Sequence, residues 1–190
     1  GEELPFVLDM ATAVVPDGKI EVYSRLRKPL PVGWVISEQG EPDTDATAVV
    51  KRMHKDEGGG TLPLGGQGET FGGHKGFGLG LLVDILSGVL SGAGWGPLIS
   101  DEGWANLGHF FAAMRVDLFR PTDEFKAEMD TMIRRLKAEP KAPGHDRIYI
   151  HGEKEFENTQ KRLADGIPLH PLVIEDLQKI ATELGVEFGL

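Results

Sequence analysis

The 190-residue chain contains no cysteine, which excludes disulfides and thiolate metal sites and leaves the redox compartment unspecified. Positive charge is in short supply as well: 20 Lys and Arg against 30 Asp and Glu give a formal net charge of −10. The basic residues are scattered, whereas nucleic-acid phosphates are met by clustered ones, so no nucleic-acid partner is expected. Long apolar runs are missing too. The longest, near Gly78 to Leu90, is too short and too broken by glycine to span a bilayer, and no basic-then-apolar signal segment opens the chain. No membrane partner is expected, and a cytoplasmic setting is. An initiator methionine is likewise lacking: GEELPFVLDMAT runs almost at once into an apolar β-type segment, Pro5 to Leu8. Domain termini are ordinarily exposed and frayed, so a fragment or a processed chain is expected.

What the chain has in excess is glycine, and in one place. The stretch GGGTLPLGGQGETFGGHKGFGLG, residues 58–80, carries 11 of the 26 glycines. Glycine is the costliest residue to order, so such a concentration implies a backbone that must do something a side chain would prevent. The chain is otherwise ordinary, 40% hydrophobic and 26% charged, and long enough for one sizeable core, as one domain or a large domain with an appendage.

Periodicity and punctuation give the elements. Lys19 to Leu26 reads as strand or helix, Lys28 to Gly33 as a turn before Trp34, and 37–47 as an exposed polar loop. Gly76 to Leu90 is apolar nearly all round and predicts a helix buried on most of its surface. Gly92 to Gly103, with Trp95 and Trp104 about it, is irregular, and Asn106 to Val116 reads as a buried strand. Thr122 to Ala138 is an amphipathic helix with acids at its start and Pro140 beyond its end. Arg147 to His151 reads as a short strand, Glu155 to Ala164 as a charged helix, and Pro171 to Leu184 as a helix opened by proline, with Val173, Leu177, Ile180 and Leu184 on one stripe. Strands and helices alternate irregularly. The fold class is therefore α+β or mixed α/β, without the regular beat of a doubly wound sheet.

GFGLG, residues 76–80, has the outline of a dinucleotide fingerprint but lacks the preceding hydrophobic strand. It shares the physical feature, a glycine loop feeding a helix amino terminus that favours an anion, and Lys75 adds a full charge there. Lys75 is thus a phosphate clasp or a surface lysine of a loop. Asp9, at the end of the first strand-like segment, orients a ligand hydroxyl or caps the next turn. His54, His74, His109, His145, His151 and His170 offer no pair at metal-ligand spacing on a predictable helix, so no metal site is expected. His109, beside Phe110 and Phe111, is a core histidine or a substrate-contacting acid or base. In His151-Gly152-Glu153 the glycine permits a close ligand approach or a tight turn. No nucleophile, base and orienter can be composed from these residues.

Taken in order, DMAT, PVGWVIS, LPLGG, GGHKGFGLGLLVDILSGVLSGA, GHFFAAM, HGE and DGIPLHPLVIEDL resemble the malate/L-lactate dehydrogenase family of the second, non-Rossmann type. The resemblance runs over essentially the whole chain and is most specific from Gly65 to Ala93. It implies an NAD(P)-dependent oxidoreductase interconverting a 2-hydroxy acid and a 2-keto acid, with NAD or NADP on a largely antiparallel, non-Rossmann sheet flanked by helices, and with subunits paired as homodimers. It implies cofactor contacts at Asp9, Met10, Ala11 and Thr12, at His74 and Lys75, and at Gly152 and Glu153. It also implies a longer protein, whose preceding region holds the proton-transferring His and a carboxylate-binding Arg. On that basis residues 1–150 are expected to form an NAD(P)-binding α+β domain and 151–190 a helical segment packing on the missing half. The chain departs from the family pattern at Ala13, where serine is common, at His74, often aromatic, and at Ser37, where an acid is common. The alternative is a non-catalytic cofactor-binding or assembly module, a truncated relative.

Overall fold

The computed structural model describes all residues except His54, Asp56, Trp104 and Leu190, with the backbone alone for residues 100–103. The parts of the sequence reading that rest on His54 and Trp104 therefore lie outside the described residues. The elements are α1 (Asp17–Arg25), β1 (Val35–Ile36), α2 (Ala46–Met53), β2 (Gly60–Thr61), α3 (Gly73–Val83) continued by a π-helical stretch (Asp84–Val89), two 3-10 turns (Gly96–Gly103 and Val116–Leu118), α4 (Thr122–Ala138), α5 (Glu153–Asp165) and α6 (Pro171–Leu184). The chain divides into two compact units, Met10–Ala113 and the discontinuous Gly1–Asp9 with Met114–Leu190.

In the unit 10–113, α1 and α2 close on a core of Val15, Ile20, Leu30, Val35, Ala46 and Val49, with Tyr23, Trp34, Val50 and Met53 packed against it. The ambiguous 19–26 segment is helical. Helix α2 starts inside the stretch read as loop because Asp45 caps it: its carboxylate accepts the Thr47 and Ala48 N–H groups, both at 3.0 Å. β1 and β2 pair antiparallel, Val35 opposite Thr61 and Ile36 opposite Gly60, and a bridge joins Ala13 to Pro63. The fold is thus helix-rich with a small antiparallel sheet.

After α3, Leu90 N–H reaches the Ile85 carbonyl at 2.8 Å and Ala93 N–H the Gly88 carbonyl at 3.0 Å, the i→i+5 pattern of a π-helix. Ser87 and Ser91 return their hydroxyls to the carbonyls of Val83 and Ser87, which loosens the α ladder there. The burial expected for this helix is corrected: Phe77, Leu82, Ile85 and Leu90 are all exposed. So is the expectation for 106–116, which forms no strand and leaves Phe111 89% exposed. Pro5 to Leu8 and Arg147 to His151 form no strand either. Each has strand-like composition, but a strand needs a neighbour to pair with, and no ladder reaches these segments among the described residues.

In the other unit, α4 and α6 have the bounds the sequence predicts. Helix α6 is fixed at both ends. His170 Nδ1 accepts the Leu172 N–H at 3.2 Å with Pro171 in the first turn. At the far end Gly185 is left-handed (φ 65) and Val186 N–H bonds back to Ala181 at 3.0 Å, a Schellman closure. Helix α5 starts at Glu153, two residues before the sequence expectation, because Gly152 adopts φ 99 and turns the chain into it. No helix among the described residues is long and apolar enough to cross a membrane.

Candidate functional site

The glycine loop is built on left-handed backbone. Gly65, Gly66, Gly68 and Gly72 have φ of 94, 79, 70 and 83, values that favour glycine over any other residue. The loop folds back on itself, Gly73 N–H donating to the Gly68 carbonyl at 3.0 Å. Gly73 and Gly76 are buried because α3 rests directly on the loop: a Cβ at Gly73 would run into the Gly66 carbonyl, and one at Gly76 into the Leu64 backbone. Gly66 and Gly68 face the other way, with nothing within 4 Å of the Cβ position. The result is a flat, side-chain-free shelf beside the amino terminus of α3. The first turn carries no acid, and His74 and Lys75 are both exposed on it. The positive helix end and Lys75 therefore reinforce one another.

The DMAT segment meets this loop. The Leu64 N–H donates to the Thr12 carbonyl at 3.0 Å and the Val14 N–H to the Leu62 carbonyl at 2.8 Å. The Thr12 hydroxyl lies 3.5 Å from the Cβ position of Gly80, on α3. Within this unit, Thr12 thus meets the loop and helix that carry His74 and Lys75, with Met10 and Ala11 just before it in the chain. Asp9, Gly152 and Glu153 belong to the other unit.

There, Asp9 and Gly152 line one open hollow of 620 Å³, with Tyr149, His151, Lys154 and Phe156 among the other walls. Val7 N–H bonds the His151 carbonyl at 3.0 Å, and Gly152 lets the two segments of this wall close up: its Cβ would stand 3.1 Å from that of Val7. Tyr149 is flanked by two cations, Arg147 at 4.2 Å and Lys154 at 4.5 Å from its ring centre. Glu153 is 4% exposed. Its carboxylate takes Lys137, the Ile150 N–H at 3.1 Å and Arg147 at 3.3 Å. Burial works against its charge, but these donors outweigh it and hold the carboxyl below its ordinary range. Glu153 therefore braces the hollow with a carboxylate turned to its own chain. Lys137, Arg147 and Tyr149 carried no signal in the sequence, since their roles arise from partners at long range or across a turn.

His109 is exposed and stacks on Phe111, ring centres 6.1 Å apart, so the reading of a buried core histidine is corrected. Among the described residues no three His, Cys, Asp or Glu gather closely enough to hold a metal ion.

The glycine shelf at the start of α3 is thus met by the DMAT segment, and comparison with known proteins establishes the family. The malate/L-lactate dehydrogenase family profile matches residues 1–178, and the chain belongs to that family. It is 46% identical over 98% of its length to malate dehydrogenase of Pyrococcus horikoshii, covering 51% of that protein. It is 29% identical over 89% of its length to ureidoglycolate dehydrogenase (NAD(+)) of Escherichia coli, covering 45% of it. The crystal structure of malate dehydrogenase from Entamoeba histolytica superimposes with a TM-score of 0.91 at 35% identity, over 100% of this chain and 53% of that one. The chain thus spans about half the length of the curated relatives it matches.

Proposed function

We propose that this chain is the cofactor-binding, C-terminal portion of a cytoplasmic NAD(P)-dependent oxidoreductase that interconverts a small 2-hydroxy acid and its 2-keto acid. The observation that carries the reading is the meeting of Thr12, Leu64 and α3, which brings the DMAT segment onto the glycine loop and helix that follow it much later in the sequence. The shelf fits a dinucleotide: open glycine backbone for a flat ligand, and Lys75 at a positive helix end for its phosphates or ribose. The nicotinamide, when bound, supplies the hydride. The chain's own residues bind and orient it, through Asp9, Met10, Ala11 and Thr12, His74 and Lys75, and the Gly152-Glu153 turn. The histidine that exchanges a proton with substrate is assigned to the region preceding this chain.

In this proposal residues 1–150 serve the cofactor and 151–190 pack against the missing half, as the same or a second polypeptide, in a homodimer. The exposed apolar residues of α3 and its π-helical continuation support such partners. They also favour the second reading, an assembly module without turnover. The complete protein decides between the two: loss of NADH or NADPH absorbance on adding oxaloacetate or pyruvate is expected, and a folded, complete protein that binds neither cofactor would overturn the assignment.

A further inference from the structure

Helix α4 does not line the hollow of Asp9 and Gly152, yet one of its faces grips both chain segments that lead into it, residues 2–3 and Glu153. Asp130, Arg134 and Lys137 recur at intervals of four and three residues, so they share a face, on which Ile133 is buried. Asp130 is 7% exposed. Its two carboxylate oxygens accept the backbone N–H groups of Glu2 at 2.8 Å and Glu3 at 3.1 Å. Those amides, against the opposing effect of burial, hold the carboxyl below its usual range. Arg134 takes the side chains of the same two residues, Glu2 at 2.7 Å and Glu3 at 2.8 Å. The fit is close enough that a Cβ at Gly1 would collide with the Asp130 carboxylate. One helical turn on, Lys137 holds Glu153 at the start of α5.

From Glu3 the chain has little slack before it reaches the hollow. Phe6 lies edge-on to His151, ring centres 5.5 Å apart, Val7 bonds the His151 carbonyl, and Asp9 enters the wall. The five residues between Glu3 and Asp9 are thus fastened at one end by α4 and in the middle by the 151–152 turn. We infer that Asp130 is a positioning residue for the cofactor site: by gripping the Glu2 and Glu3 amides it fixes the path of residues 2–9 and hence the placement of Asp9 opposite Gly152. A carboxylate suits this task because it presents two acceptor oxygens, one to each of the two amides, where an amide or hydroxyl side chain presents one. The inference rests on the reading of Asp9 as a cofactor contact.

The test is made in the complete enzyme with Asp130→Ala, Asp130→Asn and Asp9→Ala. Hydrogen exchange reads the grip directly: in Asp130→Ala the amides of residues 2–9 are expected to exchange faster while those of α5 do not. Titration with reduced cofactor is expected to show binding weakened about two- to tenfold, the span of a lost hydrogen bond, with the cofactor KM rising more than kcat falls. Asp130→Asn, which keeps one acceptor, should fall between. The effects of Asp130→Ala and Asp9→Ala should not add, because both remove the same contact. Unchanged exchange in residues 2–9 would overturn the grip itself. Faster exchange with unchanged cofactor binding, or additive effects, would overturn its role in positioning. Undiminished affinity in Asp9→Ala would instead overturn the reading of Asp9, and the purpose of the grip with it. If Asp130→Ala fails to fold, the exchange and binding of Asp130→Asn decide the same questions.

Discussion

Gly76 of α3 sits against the backbone of Leu64, whose N–H is held by the Thr12 carbonyl at 3.0 Å. Helix, loop and DMAT segment are therefore in register through a point where no side chain fits. Gly76→Ala is expected to cost about 1 to 3 kcal/mol of stability, as overpacking does, because the methyl meets backbone that cannot rotate aside. Denaturant unfolding of the variant checks this. Gly78→Ala is the control: nothing lies within 4 Å of its Cβ position, and the helix should tolerate or welcome it.

Lys75→Ala is expected to weaken NADH or NADPH binding by about 1 to 3 kcal/mol, the scale of a charge-assisted contact. Lys75 is exposed on the first turn of α3, so its removal should leave folding intact. Fluorescence titration with reduced cofactor measures the change, and unchanged affinity in a folded variant would remove Lys75 from the site.

These glycine-loop features were legible in the sequence because they are local. A run of glycines, a lysine and an apolar helix in immediate succession state their own geometry, and α4 and α6 were legible for the same reason, their acids, prolines and stripes lying within each helix. The caps at Asp45 and His170 are equally local but use residue types that serve many roles. The strands expected at 5–8, 106–116 and 147–151 were misread because a strand is defined by a neighbour, and composition cannot supply one. Asp130 and the bracing role of Glu153 were beyond reach: the first works on amides 127 and 128 residues away in sequence, the second on Lys137, 16 residues before it.

Glu153 makes stability depend on pH in a definite direction. Its carboxyl is held low in the folded chain, so the stabilisation is complete above the ordinary Glu value of about 4.3 and is lost as pH falls through the lower folded value. Glu153→Gln should therefore lower Tm at pH 7, by the equivalent of about 1 kcal/mol given that Lys137 and Arg147 are partly solvated. The gap from the parent should close as pH falls below the ordinary Glu range, where the parent carboxyl protonates as well. A gap that stays constant with pH would mean the loss comes from packing rather than charge.

The 190 residues alone are expected to show no 2-keto acid reduction. His109 stacks on Phe111 and is exposed, and no base or orienting carboxylate was recognisable beside it in the sequence, so the chain has no acid-base set assigned to it. The assay is cofactor oxidation by a sample whose intact mass contains these residues only. Sustained turnover of oxaloacetate or pyruvate would make His109 the leading candidate for the proton donor.

The final expectation concerns what covers α3. Phe77, Leu81 and Ile85 follow one another at four-residue intervals and are 59%, 46% and 52% exposed, and Leu90 and Phe111 add to the uncovered apolar surface. Leaving so much apolar area in water is unfavourable by roughly 25 cal/mol per Å², and monomers rarely expose large apolar patches. Partnering is the ordinary remedy, by the absent half, by a second copy, or by both on adjoining surfaces. A homodimer burying more than roughly 1,000 Å² in total is expected. Light scattering at micromolar concentration should give twice the chain mass, and Leu81→Asp should return it to the monomer, because a charge at the centre of an apolar contact cannot be solvated there. A monomeric parent at that concentration would show that this surface is not a self-association face.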